Sequence, residues 1–320
     1  MPMRTGRVAV VAKTVSSVWN AIPSPIRPII ELAAESLLIL LFLKLYNLTR
    51  NQFGSSQDGS TAVALNHAKD VIAFEKALGF FWEEGIQAAF LSYHGWIRLW
   101  NIFYGTMHNV VTISTILFLF FMKPVAYQRC RTEFVIMNLV AIIGFVAYPL
   151  MPPRLVPACD EYGGCLNSQY SFVDTMEVYG GLWSWKDEGV ASLSNHYAAM
   201  PSMHTGYATW CAVSIFSHTP HKWLQVLAVL HPVFTVYCIV VTANHYLLDA
   251  IVGAACYFLG HVLAAYAPKY GRGASWTQLT WPRVLLPLGG GRVLYERVST
   301  DDDDQAGNKK DTSDVEVGMP

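Results

Sequence analysis

Six apolar runs decide what this chain can become. They cover residues 28–48, 99–122, 134–150, 205–216, 223–242 and 246–267. A bilayer core takes roughly 20 residues of α-helix. A backbone inside lipid must satisfy its own hydrogen bonds, so runs of this kind are expected as helices. The predicted fold class is therefore all-α: a polytopic membrane helical bundle of about six transmembrane helices.

The stretches between the runs set the organisation. Residues 1–28 hold Arg4, Arg7, Lys13 and Arg27 with no acid and form a basic flank. Glu31, Glu35 and Lys44 interrupt the first run, which places a bundle-facing side or an interface there. Residues 71–91 alternate apolar positions with Glu75, Lys76, Glu83 and Glu84. That stretch is too charged to span and is expected as one or two helices lying along the interface. Residues 151–200 make a long loop rich in Pro, Gly and acids. The tail after residue 268 turns polar and ends without an apolar face. Three regions follow: an N-terminal segment 1–28, a membrane domain 29–267 and a C-terminal tail 268–320.

Six spans put both termini on one side. Lys and Arg cluster at the N-terminus, at 123–131, at Lys222 and just after the sixth run, all on that side. The positive-inside rule makes it cytoplasmic. The acidic loop then faces the extracytoplasmic or lumenal side.

Composition excludes some functions. Charged residues are 14% and hydrophobic residues 53%, far from a soluble domain. A net charge of −1 argues against nucleic acid as a partner. Cys211, Cys238 and Cys256 lie in apolar runs and are expected as packing residues. Cys159 and Cys165 flank Gly163-Gly164, and a disulfide is expected if their loop is extracytoplasmic. No metal-ligand spacing is present, and neither metal nor cofactor is expected.

Two short stretches carry chemistry. The first is AAMPSMHTGY at 198–207; the second is TANHYLLD at 242–249. His245 and Asp249 stand at i and i+4 and share a helix face. Asp249 can accept a hydrogen bond from one imidazole nitrogen and leave the other as nucleophile or base, the orienting logic of a hydrolase triad. A bare H-x-x-x-D also arises by chance, as a polar pair at an interface. His204 follows Pro201 and Ser202, residues suited to start and cap a helix. A helix start binds anions, and a His there is aimed to protonate a leaving oxygen; the plainer reading is a cap with an incidental His. Arg154, in MPPRL, offers a phosphate fork or a charge snorkelling at the interface. Tyr104 and His108, one turn apart, can bind a headgroup or bond within the bundle. His94, His196, His218, His221, His231 and His261 read as structural or surface residues.

The PSMH element, followed about forty residues later by HYLLD in consecutive apolar spans, resembles the type 2 phosphatidic acid phosphatase superfamily. MPPR, YAAMPSMH and TANHY look most like its inositol phosphorylceramide synthase-like (inositolphosphotransferase) branch. The resemblance covers roughly residues 75–267. It implies His245 as nucleophile, Asp249 as its orienting group and His204 as the acid, acting on a membrane lipid phosphoester. Two features depart from the phosphatase branch: no Lys-x6-Arg-Pro element is present, and Ile239 stands where an Arg would precede the nucleophile by six residues. Arg154 is the replacement phosphate clamp, with Lys186 and the amides around Ser202 as further candidates.

The expected function is thus a lipid phosphatase or phosphotransferase that works through a phosphohistidine. Water and a lipid hydroxyl both remain open as acceptors. A transporter or lipid-binding membrane protein is the alternative from another class, favoured by inverted repeats, which the chain does not show. A metal hydrolase with His204, His245 and Asp249 as ligands is a third reading, and chelator sensitivity would mark it.

Overall fold

In the computed structural model, the structure describes Pro23 and residues 26–52, 59–182 and 195–266. Lys186 and the tail lie outside these residues, as does nearly all of the N-terminal segment. The chain divides into two units, Met1–Ile39 with Gln278–Pro320, and Leu40–Thr277. Apart from the first turns of helix Arg27–Gln52, everything below concerns the second.

The described residues form nine α-helices: α1 Arg27–Gln52, α2 Ser60–Leu78, α3 Glu83–Phe90, α4 His94–Met122, α5 Pro124–Ala147, α6 Thr175–Tyr179, α7 Met203–His218, α8 Lys222–Val241 and α9 Leu247–Tyr266. A 3-10 turn, Pro153–Leu155, follows α5, and a lone parallel bridge joins Leu150 to Ala198. The protein is a helical membrane bundle. Among the described residues four segments are long and apolar enough to cross a bilayer: His94–Met122, Ala126–Ala147, Lys222–Val241 and Leu247–Ala265.

The other two apolar runs form shorter apolar helices. α7 has 16 residues, about 24 Å of rise and short of a roughly 30 Å core. In α1 the apolar stretch is only Ile39–Thr49. The six apolar runs are thus six helices, four of full bilayer length and two of shorter apolar length. α7 lies at the centre of the bundle: Trp210 and Cys211 are buried with Phe134 and Met137 of α5 and Tyr257 of α9.

The bundle closes around α9, which packs against α5 and α7, while α7 packs against α4 and α8. Glycines set the closest approach. A Cβ on Gly253 of α9 would lie 2.0 Å from the Ser202 carbonyl oxygen, and one on Gly206 of α7 would lie 3.2 Å from the Gly253 carbonyl. Hydrogen at Gly253 lets α7 and α9 cross where they do, and a methyl group at Gly206 would be tight.

The stretch expected to lie along the interface folds inward. α2 buries Ala64, Ala68, Val71 and Ile72 against Leu150, Leu155 and Tyr246. Its Glu75, and Glu83 of α3, have no exposed surface. These two acids face the protein and not water or headgroups, because both carboxylates bind the start of α9 (below). Cys159 and Cys165 are paired, with Cα atoms 4.4 Å apart. Cys130, Cys211, Cys238 and Cys256 are buried free thiols, as packing residues would be.

Candidate active site

α5 and α8 end where α7 and α9 begin, so four helix termini converge at one end of the bundle. The segments joining them are tied together by backbone hydrogen bonds. Arg154 N donates to Ala243 O (2.9 Å), Leu150 N to Tyr197 O (2.7 Å) and Ser202 N to Asp249 O (3.0 Å). Between them lies a cavity of about 230 Å3, lined by Tyr104, His108, Arg154, His204 and His245, with Asn195, His196 and Asn244 beside them.

The turn 242–246 presents His245. Thr242 and Ala243 close α8: Thr242 Oγ1 donates to Cys238 O (2.6 Å), and Ala243 takes a left-handed φ of 51°. Asn244 Nδ2 bonds Thr242 Oγ1 (2.9 Å), which fixes the residue just before the histidine. His245 itself is buried except for the edge that lines the cavity. Its Nδ1 lies 2.8 Å from the carbonyl oxygen of Ala199 and 3.4 Å from Asp249 Oδ2. A carbonyl oxygen can only accept, so Nδ1 carries the proton and the lone pair sits on Nε2. The i,i+4 pairing with Asp249 expected from spacing is present, but the closer acceptor is Ala199, 46 residues away in sequence.

Asp249 has no exposed surface and its Oδ2 also accepts from Tyr246 N (2.9 Å). It therefore caps the helix and faces the imidazole with the same oxygen.

His204 is the second residue of α7. Its ring stacks on Tyr104 (centroids 4.2 Å, 22°), meets His108 edge-on at 4.5 Å and lies 5.6 Å from His245. His108 Nδ1 bonds the Tyr104 carbonyl of its own helix (3.0 Å). Tyr104 and His108, read as headgroup binders or as bonding within the bundle, flank the His204 ring within the cavity wall.

Ser202 departs from its expected role. It stands at the N-cap of α7, but its side chain bonds no helix amide; Oγ accepts from Thr205 Oγ1 at 3.5 Å. It is fully buried and does not line the cavity. Its contribution is through the backbone, since its amide binds the Asp249 carbonyl and its own carbonyl fills the notch at Gly253.

Arg154 does line the cavity, yet its Nη1 is paired with Asp174 Oδ2. Asp174 Oδ1 in turn caps α6 through Met176 N and Glu177 N. The guanidinium is thus held in place and already shares its charge. Lys186 lies outside the described residues. His196, read from sequence as structural or surface, stands in the cavity wall and stacks on Tyr162 at 4.1 Å. Burial and the Arg154 charge push its imidazole down to about 4, so it is neutral at pH 7. Nothing in the spacing marked it. Asn195, Asn244 and Tyr46 were missed as well; only Asn244 had a signal, its place directly before His245.

Among the described residues no three His, Cys, Asp or Glu side chains are grouped to hold a metal ion. What the site offers is the facing imidazoles of His204 and His245, a buried carboxylate and a fixed guanidinium around one polar cavity, groups able to serve as nucleophile, acid and anion clamp.

A family model described as the PAP2 superfamily matches residues 69–263. Searches of curated proteins and of solved structures give no match. The matched segment runs from α2 to the last turns of α9 and holds every residue lining the cavity except Tyr46 of α1. It covers more than half of the chain, and the chain belongs to the PAP2 superfamily, a family of phosphatase-type enzymes.

Proposed function

We propose that the chain is a lipid phosphatase or phosphotransferase that works through a phosphohistidine on His245. The observation that supports this most is the 5.6 Å approach of His204 to His245 beside a proton-fixed Nδ1. Nε2 of His245 attacks phosphorus, and the bond from phosphorus to the leaving oxygen breaks. His204 gives its proton to the departing alkoxide. The acceptor oxygen then attacks phosphorus, His204 takes the acceptor's proton, and the P–N bond breaks. Asp249 and the Ala199 carbonyl hold the His245 ring and stabilise the positive charge it gains. Arg154 and the amides at the start of α7 supply charge to the phosphoryl oxygens.

The substrate class that suits this cavity is a membrane lipid phosphoester. The TANHY and YAAMPSMH contexts favour a lipid hydroxyl over water as acceptor, in the manner of an inositolphosphotransferase. Basic residues Lys123, Arg129, Arg131 and Lys222 stand at the helix ends away from the cavity. By the positive-inside rule the cavity faces the extracytoplasmic or lumenal side.

The test is turnover of labelled phospholipids by purified protein in liposomes, with and without a ceramide or diacylglycerol acceptor. Release of phosphate alone identifies a phosphatase, and labelled acceptor lipid identifies a transferase. An acid-labile, base-stable adduct should form on wild type and be absent from His245→Ala. An adduct that survives in His245→Ala would refute the assignment. For topology, Ser168→Cys, in an exposed part of the loop, should react with a membrane-impermeant thiol reagent from the non-cytoplasmic side. Reaction only from the cytoplasmic side would reverse the orientation.

A further inference from the structure

The first turn of α9 is held by three carboxylates. Each takes a different amide that the helix itself leaves unpaired. Tyr246 N donates to Asp249 Oδ2 (2.9 Å), Leu247 N to Glu83 Oε1 (2.7 Å) and Leu248 N to Glu75 Oε1 (2.8 Å). Glu75 comes from α2 and Glu83 from α3, more than 160 residues away in sequence. Both are fully buried, and the second oxygen of each, Oε2, has no hydrogen-bond partner. Leu247 and Leu248 are consecutive, so the two carboxylates lie side by side.

Two adjacent buried carboxylates cannot both be ionised at reasonable cost. The groups facing them are few. Asp249 faces them from α9, and the Tyr246 hydroxyl, buried and without a hydrogen-bond partner, lies within electrostatic reach of all three acids. From the loop, Tyr170 also acts on Tyr246. Lys76, next to Glu75 on α2, is turned to the Phe81 and Tyr170 rings at 5.0 Å each. His245 lies beyond Asp249. Among the described residues no cation is paired with Glu75 or Glu83. One negative charge is favoured by the helix start, whose dipole is positive there; a second is not.

We propose that Glu75 and Glu83 share a single proton and act as a positioning pair, seating the first turn of α9 so that His245 is held over the cavity. The pair touches neither substrate nor the reacting nitrogen. It acts through the amides two and three residues beyond His245, while the Ala199 carbonyl fixes the ring. The catalytic half of this inference rests on His245 being the nucleophile; the shared proton does not.

Burial first, and then Glu83, push the Glu75 carboxyl up to about 9 from an ordinary 4.5. The folded chain therefore keeps a proton that the unfolded chain releases near 4.5. Stability contributed by this site is greatest below that value and declines as pH rises toward 9. Glu75→Gln is the neutral mimic: it keeps an acceptor for Leu248 N and a donor toward Glu83.

The experiment has two readouts on purified full-length protein in detergent. The first is thermal unfolding across pH 5–9, which needs no turnover. Wild type should lose Tm with rising pH by several degrees more than Glu75→Gln does. The second is kinetics on a lipid phosphoester. Glu75→Ala should lower kcat about tenfold with little change in KM, from loss of a bond to a charged or shared-proton acceptor, and Glu75→Gln should restore most of it. If Glu75→Ala does not fold, the comparison of Gln with wild type still decides. Parallel Tm curves for wild type and Glu75→Gln, or a Gln variant as slow as Ala, would overturn the proposal. Failure of the lipid phosphatase reading would show as no turnover in wild type while the Tm difference persists.

Discussion

The Nδ1 atom of His245 lies closer to the carbonyl oxygen of Ala199, at 2.8 Å, than to the carboxylate of Asp249, at 3.4 Å. Ala199 belongs to the segment before α7, on which His204 also stands, so one contact fixes the tautomer of the first histidine and its distance from the second. A carbonyl is always an acceptor. The lone pair on Nε2 therefore does not depend on the ionisation of Asp249.

This division of labour predicts the behaviour of Asp249→Asn. In a serine hydrolase triad, where the carboxylate alone sets the tautomer, the matching change costs about 10⁴-fold in kcat. Here Ala199 O retains the Nδ1 proton and only the charge opposite the imidazolium is lost. The expected loss is smaller, about 100-fold, with the protein still folded. A loss of about 10⁴-fold in kcat would assign tautomer control to Asp249 and not to Ala199.

The crossing of α7 and α9 predicts a second outcome. A methyl group at Gly253 would stand 2.0 Å from Ser202 O, which is backbone and cannot rotate away. Gly253→Ala should force the helix starts apart, and with them His204 and His245. Overpacking of this kind costs about 1–3 kcal/mol, and kcat should fall with it. Gly85→Ala is the control, since nothing lies within 4 Å of its Cβ position; it should leave activity unchanged. Equal Tm values for the Gly253→Ala variant and wild type would remove the claim that this notch sets the site.

Much of the site was legible because its chemistry is local. His204, His245 and Asp249 each sit at a helix start within a few residues of Pro201 or the TANHY turn, and such motifs survive in one dimension. Four of the spans were legible for the same reason: a 20-residue apolar run has few alternatives in a bilayer. α7 was legible as an apolar helix, whereas its place at the centre of the bundle rests on contacts with α5 and α9. Glu75 and Glu83 were read as a charged interfacial face, since acids between apolar residues usually are one. Their partners are two amides at the start of α9, which no local pattern reveals. His196 and Ala199 likewise owe their roles to contacts across the fold.

His196 predicts an acid limb of stability. Its imidazole is held near 4, first by burial and then by Arg154, against an ordinary 6.5. The folded chain favours the neutral ring, so the stability tied to it is fully present above about pH 6.5. It is lost as pH falls toward 4, because the unfolded chain binds the proton first. His196→Gln removes that proton site. Its unfolding curves from pH 7 to 4 should fall less steeply than those of wild type. Identical slopes would mean that His196 does not titrate in this range.

The last prediction separates the two histidines. His245→Ala should abolish turnover on every substrate, because no other group forms the covalent bond to phosphorus. His204→Ala should depend on the leaving group. General acid catalysis contributes ~100- to 10,000-fold when a poor leaving group must be protonated. A phenolate leaves readily without that proton, whereas the alkoxide of a lipid does not. The His204→Ala variant should therefore retain far more kcat on an aryl phosphoester than on a lipid phosphoester. Its Tyr104 and His108 neighbours stay in place, so the fold around the cavity is expected to survive, and near-UV circular dichroism checks this. Single-turnover assays on both substrates, with adduct trapping, read the two steps apart. Equal losses on both leaving groups, or an adduct carried by His204 itself, would exchange the roles of His204 and His245.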